Sequence, residues 1–187
     1  MILQLWARLK GDFWGTLGGW QNQRPLWLAG GLAALSLEIF SVAFFQKFLK
    51  LYPCELCVYI RFSMLAIFMG AMIAFINPRS ALMKAAGYIV VIWGIIRGII
   101  WDVALEMENL RAAGEHSVCS MNAPAFPFGL PLDKLIPSHF MPLALCGEDS
   151  KWSLFGLNMA EWLFFVYGVF ALGILLMLVS WAKTRRR

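Results

Sequence analysis

The sequence predicts an all-α membrane protein, an antiparallel bundle of four transmembrane helices with two loops on its outer side. Two observations lead to this prediction. Of the 187 residues, 60% are hydrophobic and only 14% are charged, and the mean hydropathy is +0.69. In addition, four apolar stretches each approach the roughly 20 residues that an α-helix needs to cross a bilayer. A soluble domain of this length would not need so large an excess of apolar residues.

The apolar stretches define a single membrane domain, residues 1–187. The second stretch reaches spanning length only when residues 57–60 are included, and the turn at residues 77–80 makes the second and third helices antiparallel neighbours. Residues 1–23 contain three tryptophans among polar residues, which is typical of an interfacial segment and not of a cleavable signal peptide. We expect helices at about 26–46, 57–76, 81–101 and 160–181, with outer loops at about 47–56 and 102–158.

The distribution of charge predicts the orientation in the membrane. Nine basic residues but only one acid, Asp12, fall in the N-terminal arm, the short turn and the C-terminal tail. By the positive-inside rule these segments face the cytoplasm, so both termini are inside and the other two loops are outside. The net charge of +5 therefore reflects membrane topology and does not indicate nucleic-acid binding. The nine basic residues are Arg8, Lys10, Arg24, Arg79, Lys84, Lys183, Arg185, Arg186 and Arg187.

A Cys-x-x-Cys motif, formed by Cys54 and Cys57, stands at the start of the second apolar stretch. Residues at i and i+3 of a helix are neighbours, so two sulfurs at this spacing can close a disulfide. Pro53 favours a helix start here, because proline suits the first helical position. The helix N-terminus stabilises a thiolate, and Arg61 lies one turn after Cys57 on the same face. The motif therefore predicts redox chemistry at a membrane surface.

The predicted orientation places all four cysteines on the outer, oxidising side of the membrane. Cys119 and Cys146 lie in the long outer loop, and with the motif they indicate a disulfide system. Two other interpretations stay open. Four thiols can hold a zinc ion, although Cys119 and Cys146 form no second Cys-x-x-Cys, and both disulfides could be purely structural. A structural bridge, however, would have little use for an i, i+3 pair at a helix start beside a cation.

Several motifs resemble those of the DsbB family, the thiol oxidases of the bacterial inner membrane. The run Pro53-Cys54-Glu55-Leu56-Cys57-Val58-Tyr59-Ile60-Arg61 is similar to the family signature. Residues 130–134 (LPLDK), the following Cys146 and residues 152–162 look like the family's second periplasmic loop. The pairs Leu37-Glu38 and Phe45-Gln46 in the first helix also match. Residues 20–24 and 57–61 resemble the DsbI branch, which serves a dedicated thioredoxin-like partner, DsbL.

The resemblance implies catalytic residues, a cofactor and a protein partner. A reduced periplasmic thioredoxin-fold protein, DsbA-like or DsbL-like, would attack Cys119, and Cys146 would relay the electrons by pairing transiently with Cys54. They would then reach Cys57 and pass to a membrane quinone, ubiquinone or menaquinone, held by Cys57 and Arg61. The guanidinium of Arg61 would stabilise both the thiolate and the developing quinone anion.

Membrane lipid is a further predicted partner. The segment at 126–142 is Pro-rich and amphipathic, and we expect it to lie along the outer membrane surface. This placement would hold the loop cysteines near Cys54, or it would serve for anchoring alone.

One position departs from the family pattern. Many family members carry a histidine near the outer end of the third helix that is associated with the quinone site, and Leu105 occupies that position here. Both histidines of this chain, His116 and His139, lie in the long loop. Glu38 and Arg97 are ionisable residues within predicted spans, so they either pair with each other or line a functional polar pocket.

Two other functions compete with a quinone-dependent thiol oxidase. A vitamin-K-epoxide-reductase-like quinone reductase also combines a membrane Cys-x-x-Cys with loop cysteines. In that group we expect the loop pair before the Cys-x-x-Cys, and here the order is reversed. A non-enzymatic membrane scaffold with two stable disulfides is the second alternative, and it predicts resistance of both disulfides to a thioredoxin-like protein.

Overall fold

The computed structural model describes residues 12–112, 124–146 and 152–185, so Cys119 and His116 lie outside the described residues. Most of the described chain is helical. The elements in chain order are α1 (Phe13–Trp20), α2 (Arg24–Phe40) with a π-helix (Ser41–Phe48) that continues it, α3 (Glu55–Ile76), α4 (Ala81–Ala112), a 3-10 turn (Pro127–Gly129), α5 (Leu132–Leu135), α6 (Pro137–Phe140), the paired strands β1 (Ser153–Leu154) and β2 (Leu157–Asn158), and α7 (Met159–Arg185).

Four helical segments are long and apolar enough to cross a membrane, and they confirm the predicted fold class. The contacts between successive spans show that the helices run in opposite directions. For example, Gly31 of α2 faces Ala71 of α3, and Glu38 farther along α2 faces Arg61 earlier in α3. The α3 span is the most buried, whereas the α2 and α7 spans expose most of their side chains, which suits contact with lipid tails. The four segments are Arg24–Phe48, Glu55–Ile76, Ala81–Arg111 and Met159–Lys183.

Two details differ from the sequence-based expectations. Helix α4 runs on to Ala112, past the expected end at Trp101, because this stretch is rich in good helix formers and buries Leu105 on the bundle side. At the start of α3, Pro53 does not occupy the first helical position. Cys54 is extended and forms the N-cap, so Pro53 precedes the cap.

A seam of glycines brings the backbones of α3 and α4 together. A Cβ added at Gly70 would lie 2.8 Å from the backbone nitrogen of Val91 and 2.9 Å from the carbonyl oxygen of Gly87. Gly94 repeats the arrangement farther along α4, where an added Cβ would lie 3.0 Å from the carbonyl oxygen of Ser63. Small residues allow such close packing of membrane helices, and this seam sets the position of α3.

The end of the bundle away from the cysteines is closed by α1. The hydroxyl of Ser180 in α7 donates to the carbonyl of Trp14 at 2.7 Å, and the ammonium of Lys183 lies 4.0 Å from the Trp14 ring centroid. Arg24 donates to the carbonyl of Ile76 at the same end. Basic residues and the ends of α1 and α7 therefore share one end of the molecule, and α3 begins at the other.

Candidate redox site

The two cysteines of the Cys-x-x-Cys motif lie side by side at the N-terminus of α3. Their sulfurs are 2.6 Å apart. The sulfur of Cys54 also accepts the backbone N–H of Cys57 at 3.3 Å, which caps the helix. Both residues are buried. This geometry lets the pair form or open a disulfide with little backbone movement.

Arg61 lies one turn farther along α3 and is buried. Its Nη1 donates to Oε1 of Gln46 at 3.2 Å and to the carbonyl of His139 at 3.0 Å. Its Nε lies 3.8 Å from Oε1 of Glu38. A buried cation is costly unless it is paired and hydrogen-bonded, and these contacts satisfy that need. Arg61 is therefore fixed inside the protein and does not extend to the lipid headgroups.

The π-helix connects Arg61 to the outer loop. Gln46 belongs to the π-helix, and its Nε2 donates to the carbonyl of Ser138 in α6 at 3.3 Å, while its Oε1 accepts from Arg61. π-helical segments occur frequently at functional sites. Here the segment places one amide side chain between a buried guanidinium and the loop that covers it.

A cavity of about 250 Å³ opens beside the motif, between the π-helix, the start of α3 and the start of α7. Most of its lining is apolar and includes Phe45, Trp152 and Trp162. Cys57 and Arg61 both contribute to the lining. The cavity therefore combines a cysteine of the motif and a fixed cation with an apolar wall. Glu38 is the other charged residue of the lining.

The long loop docks where α3 begins. The carbonyl of Pro53 accepts the backbone N–H groups of Leu143 at 2.9 Å and Ala144 at 3.3 Å. Cys146, two residues on, is buried in the same apolar cluster as Cys54 and Cys57. It is disulfide-bonded, so its sulfur does not act as a thiolate ligand for zinc. Cys119 lies outside the described residues. The catalytic roles of all four cysteines stay predictions.

Comparison with known proteins gives the same family as the motifs. The family described as "Disulfide bond formation protein DsbB" matches residues 23–177, most of the chain. The chain belongs to the DsbB family. Within the family it falls in the DsbI branch. It is 39% identical to the protein-disulfide oxidoreductase DsbI of Lelliottia amnigena over 156 residues, which cover 80% of this chain and 70% of that protein.

Two further relatives support the branch. The protein-disulfide oxidoreductase DsbI of Salmonella typhimurium is 38% identical over 156 residues, 80% of this chain and 69% of its own. A Shewanella oneidensis protein that also carries the DsbI name is 39% identical over 176 residues, 86% of this chain and 82% of its own. The chain is therefore a multi-pass membrane enzyme of the disulfide oxidoreductase class.

In this DsbB-family protein, the site includes residues that the sequence did not bring together. Nε2 of His139 lies 2.8 Å from Oε1 of Glu38, so α6 supplies a histidine beside the cavity. Leu105, at the position of the family's third-helix histidine, is fully buried in the apolar cluster. The sequence did single out Glu38 as an ionisable residue inside a span, but no spacing rule connects it to a loop residue so distant in the chain.

The predicted alternative in which Glu38 pairs with Arg97 is wrong. Arg97 instead places its guanidinium carbon 4.7 Å from the ring centroid of Trp101, a cation–π contact. The nearby Asp102 is fully buried, and neither of its carboxylate oxygens has a hydrogen-bond partner among the described residues. Glu38 pairs with Arg61 and His139 because α2 and α3 cross at this level and α6 closes over them.

Proposed function

We propose that this chain is a quinone-dependent thiol:disulfide oxidase. It re-oxidises the dithiol of a periplasmic thioredoxin-fold protein, DsbA-like or DsbL-like, and passes the electrons to ubiquinone or menaquinone. One observation carries the proposal. Cys57, whose sulfur is 2.6 Å from that of Cys54, lines the same apolar cavity as the buried cation of Arg61. The proposal includes a bacterial inner-membrane location with both termini in the cytoplasm and the cysteines on the periplasmic side.

The residues of the cavity fit a quinone. A quinone has a flat apolar ring, two carbonyl oxygens and an apolar tail. The aromatic lining of Phe45, Trp152 and Trp162 suits the ring and the tail. Arg61 suits a carbonyl oxygen, since only its Nη1 and Nε make polar contacts in the described part of the chain and Nη2 is available as a donor.

The chemistry assigned to the protein's own residues is positioning and charge stabilisation. When bound, a quinone supplies a two-electron, two-proton sink. Cys57 is the cysteine of the motif that lines the cavity, and its disulfide partner is Cys54, whose sulfur is 2.6 Å away. Arg61 stabilises negative charge on the Cys57 sulfur and on a ligand oxygen, and the low dielectric of the buried site strengthens both interactions.

Electrons enter from the loop cysteines. Cys119 accepts attack by the partner's thiolate, and Cys146 relays to Cys54. The docked loop supports this step, because Leu143 and Ala144 hold the chain before Cys146 against Pro53. A DsbA-type disulfide is strongly oxidising, at about −120 mV, so its re-oxidation requires an acceptor of higher potential. A membrane quinone meets that requirement.

The proposal is tested with purified, detergent-solubilised protein, a reduced DsbA-like or DsbL-like donor, and either quinone. Quinone absorbance is followed for the wild type, Cys57→Ser and Cys119→Ser. We expect wild-type turnover that both variants lose. Cys57→Ser should still trap the donor as a mixed disulfide on non-reducing gels, whereas Cys119→Ser should not. Absence of wild-type turnover with both quinones and both donors would favour the scaffold alternative.

A further inference from the structure

Two titratable residues beside the cavity have no part in the thiol steps. Glu38 lines the cavity, and its side chain is only 10% exposed. His139 of α6 is farther out, with 24% of its side chain exposed. Its Nε2 lies 2.8 Å from Oε1 of Glu38, which is an ion-pair distance, and this oxygen has no aligned hydrogen-bond donor among the described residues. The pair therefore reaches from the outer surface to the wall of the cavity.

The surroundings hold both side chains in place. The carbonyl of His139 accepts from Arg61, and the carbonyl of the preceding Ser138 accepts from Gln46, so α6 is attached to two membrane spans. The imidazole packs edge-on against Phe140, with ring centroids 4.7 Å apart. These contacts hold the backbone of α6 in place and pack the imidazole against Phe140.

Few other ionisable groups face Glu38 in the described part of the chain. Arg61 of α3 lies 3.8 Å from the same carboxylate oxygen, His139 approaches from α6, and Tyr167 of α7 lies within electrostatic range. Glu38 thus lies between His139, whose side chain is partly exposed, and the mostly apolar cavity.

We propose that His139 and Glu38 form a proton relay that serves the quinone cavity. Nε2 of His139 donates a proton to Oε1 of Glu38, and Glu38 passes it to a carbonyl oxygen of the bound quinone. Glu38 is the residue that touches the ligand, and His139 acts through it as a positioning and proton-supplying residue. This inference rests on the proposed function and deepens it.

The relay balances the overall reaction. Oxidation of the Cys54–Cys57 dithiol to a disulfide releases two electrons and two protons, and conversion of a quinone to a quinol takes up two of each. The thiol protons leave to water on the outer side. Each proton that Glu38 delivers is replaced from His139, and His139 recovers its proton from water on the same side.

The relay is tested with His139→Gln, which keeps a polar side chain but cannot carry the proton, and with Glu38→Gln. Ser138→Ala is the matched control, since its side chain is exposed and only its backbone joins the network. The rate of quinone reduction is measured in one turnover of pre-reduced protein. A residue that supplies protons makes the rate depend on pH, so the wild-type to His139→Gln rate ratio should be about tenfold or more at low pH and should fall as the pH rises.

Two measurements separate a relay from a merely structural clamp. Quenching of Trp152 and Trp162 fluorescence by added quinone reports binding, because both side chains line the cavity. If the pair is a relay, the Kd of His139→Gln for quinone stays within about twofold of the wild-type value. Added imidazole then restores part of the rate to His139→Ala but not to Glu38→Gln. A rate ratio that is the same at every pH, or a loss of binding as large as the loss of rate, would overturn the relay.

The contact is also tested without quinone. In 15N-histidine-labelled, quinone-free protein, the Nε2 signal that disappears in His139→Gln belongs to His139. Its chemical shift should change in Glu38→Gln and not in Ser138→Ala; the same shift in all of them would contradict the contact. If the wild type turns over and His139→Gln equals it at every pH, only the relay fails. If the wild type reduces no quinone, the proposed function fails and the relay fails with it.

Discussion

Arg61 is the residue at which the parts of the site meet. It follows Cys57 by one helical turn, contacts Glu38 and Gln46 of the first span, and donates a hydrogen bond to the carbonyl of His139 in the loop. A hydrogen bond to a charged group contributes about 1.5–3 kcal/mol, and more is lost when the partner stays buried and unpaired. A change at Arg61 therefore affects the ligand, Glu38 and the docked loop together.

Replacement of Arg61 by methionine should weaken use of the quinone. Methionine keeps much of the apolar volume but removes the cation, and the loss of one charge-assisted contact of about 1.5–3 kcal/mol corresponds to a KM for quinone raised by about 10- to 100-fold. Steady-state quinone reduction with a reduced thioredoxin-fold donor measures this KM. Arg79→Met is the matched control, because Arg79 is exposed in the turn at the other end of the bundle. An unchanged KM for quinone in Arg61→Met would show that Arg61 does not contribute to quinone binding.

At the scale of elements, the position of α3 depends on its contact with α4. Gly70 and Gly87 allow the two backbones to approach so closely that no side chain fits between them. Cys57 and Arg61 lie on the same rigid helix, farther toward the outer end. The cost of widening the seam would therefore appear both in stability and in the alignment of the redox site.

Gly70→Ala should destabilise the bundle. The added methyl group would lie 2.8 Å from the backbone nitrogen of Val91, and backbone cannot move aside as the end of a flexible side chain can. Overpacking of this kind costs roughly 1–3 kcal/mol, so the Tm in detergent should fall by several degrees. Gly173→Ala in α7 is the control, because an added Cβ there meets no atom within 4 Å. Equal Tm values for the two variants would contradict the close packing of α3 and α4.

Elements that are formed by interactions between residues close together in the sequence could be predicted. Long apolar runs and the Asn77–Pro78 turn are local signals, so the four spans and their antiparallel order could be predicted. The spacing of Cys54, Cys57 and Arg61 is also local, and it correctly placed these side chains together. The helical extension to Ala112 carries charged residues that resemble a loop, so hydropathy alone ended α4 too early.

The rest of the site depends on contacts between distant segments. Gln46 reaches Arg61 only because the end of the first span is π-helical, and a π-helix has no clear sequence signal. Glu38 meets His139 because the loop folds back over the bundle. The sequence identified Glu38 as an ionisable residue within a span and suggested Arg97 as its partner, but it contained no signal for the contact with His139.

At the scale of the whole molecule, the basic residues and the cysteine motif lie at opposite ends of the bundle. Arg24 and Lys183 lie at the end that α1 closes, whereas Cys54 and the docked α6 lie at the other. In the sequence, the segments predicted to face the cytoplasm, which include Arg24 and Lys183, carry nine basic residues and one acid. In the proposed orientation the opposite end faces the periplasm, where a thioredoxin-fold donor could reach the loop cysteines.

This orientation predicts which surface positions react from outside the cell. Lys134 of α5 and Arg79 of the short turn are both exposed basic residues, and they lie at opposite ends of the bundle. In a variant whose four native cysteines are serine, Lys134→Cys should react with a membrane-impermeant maleimide in cells with a permeabilised outer membrane. Arg79→Cys should react only after the inner membrane is broken, because the positive-inside rule keeps its turn in the cytoplasm. Labelling of Arg79→Cys but not Lys134→Cys in intact spheroplasts would show that the topology is the reverse of the predicted one. It would also place the redox site in the reducing cytoplasm, where a thiol oxidase of this kind could not serve a periplasmic partner.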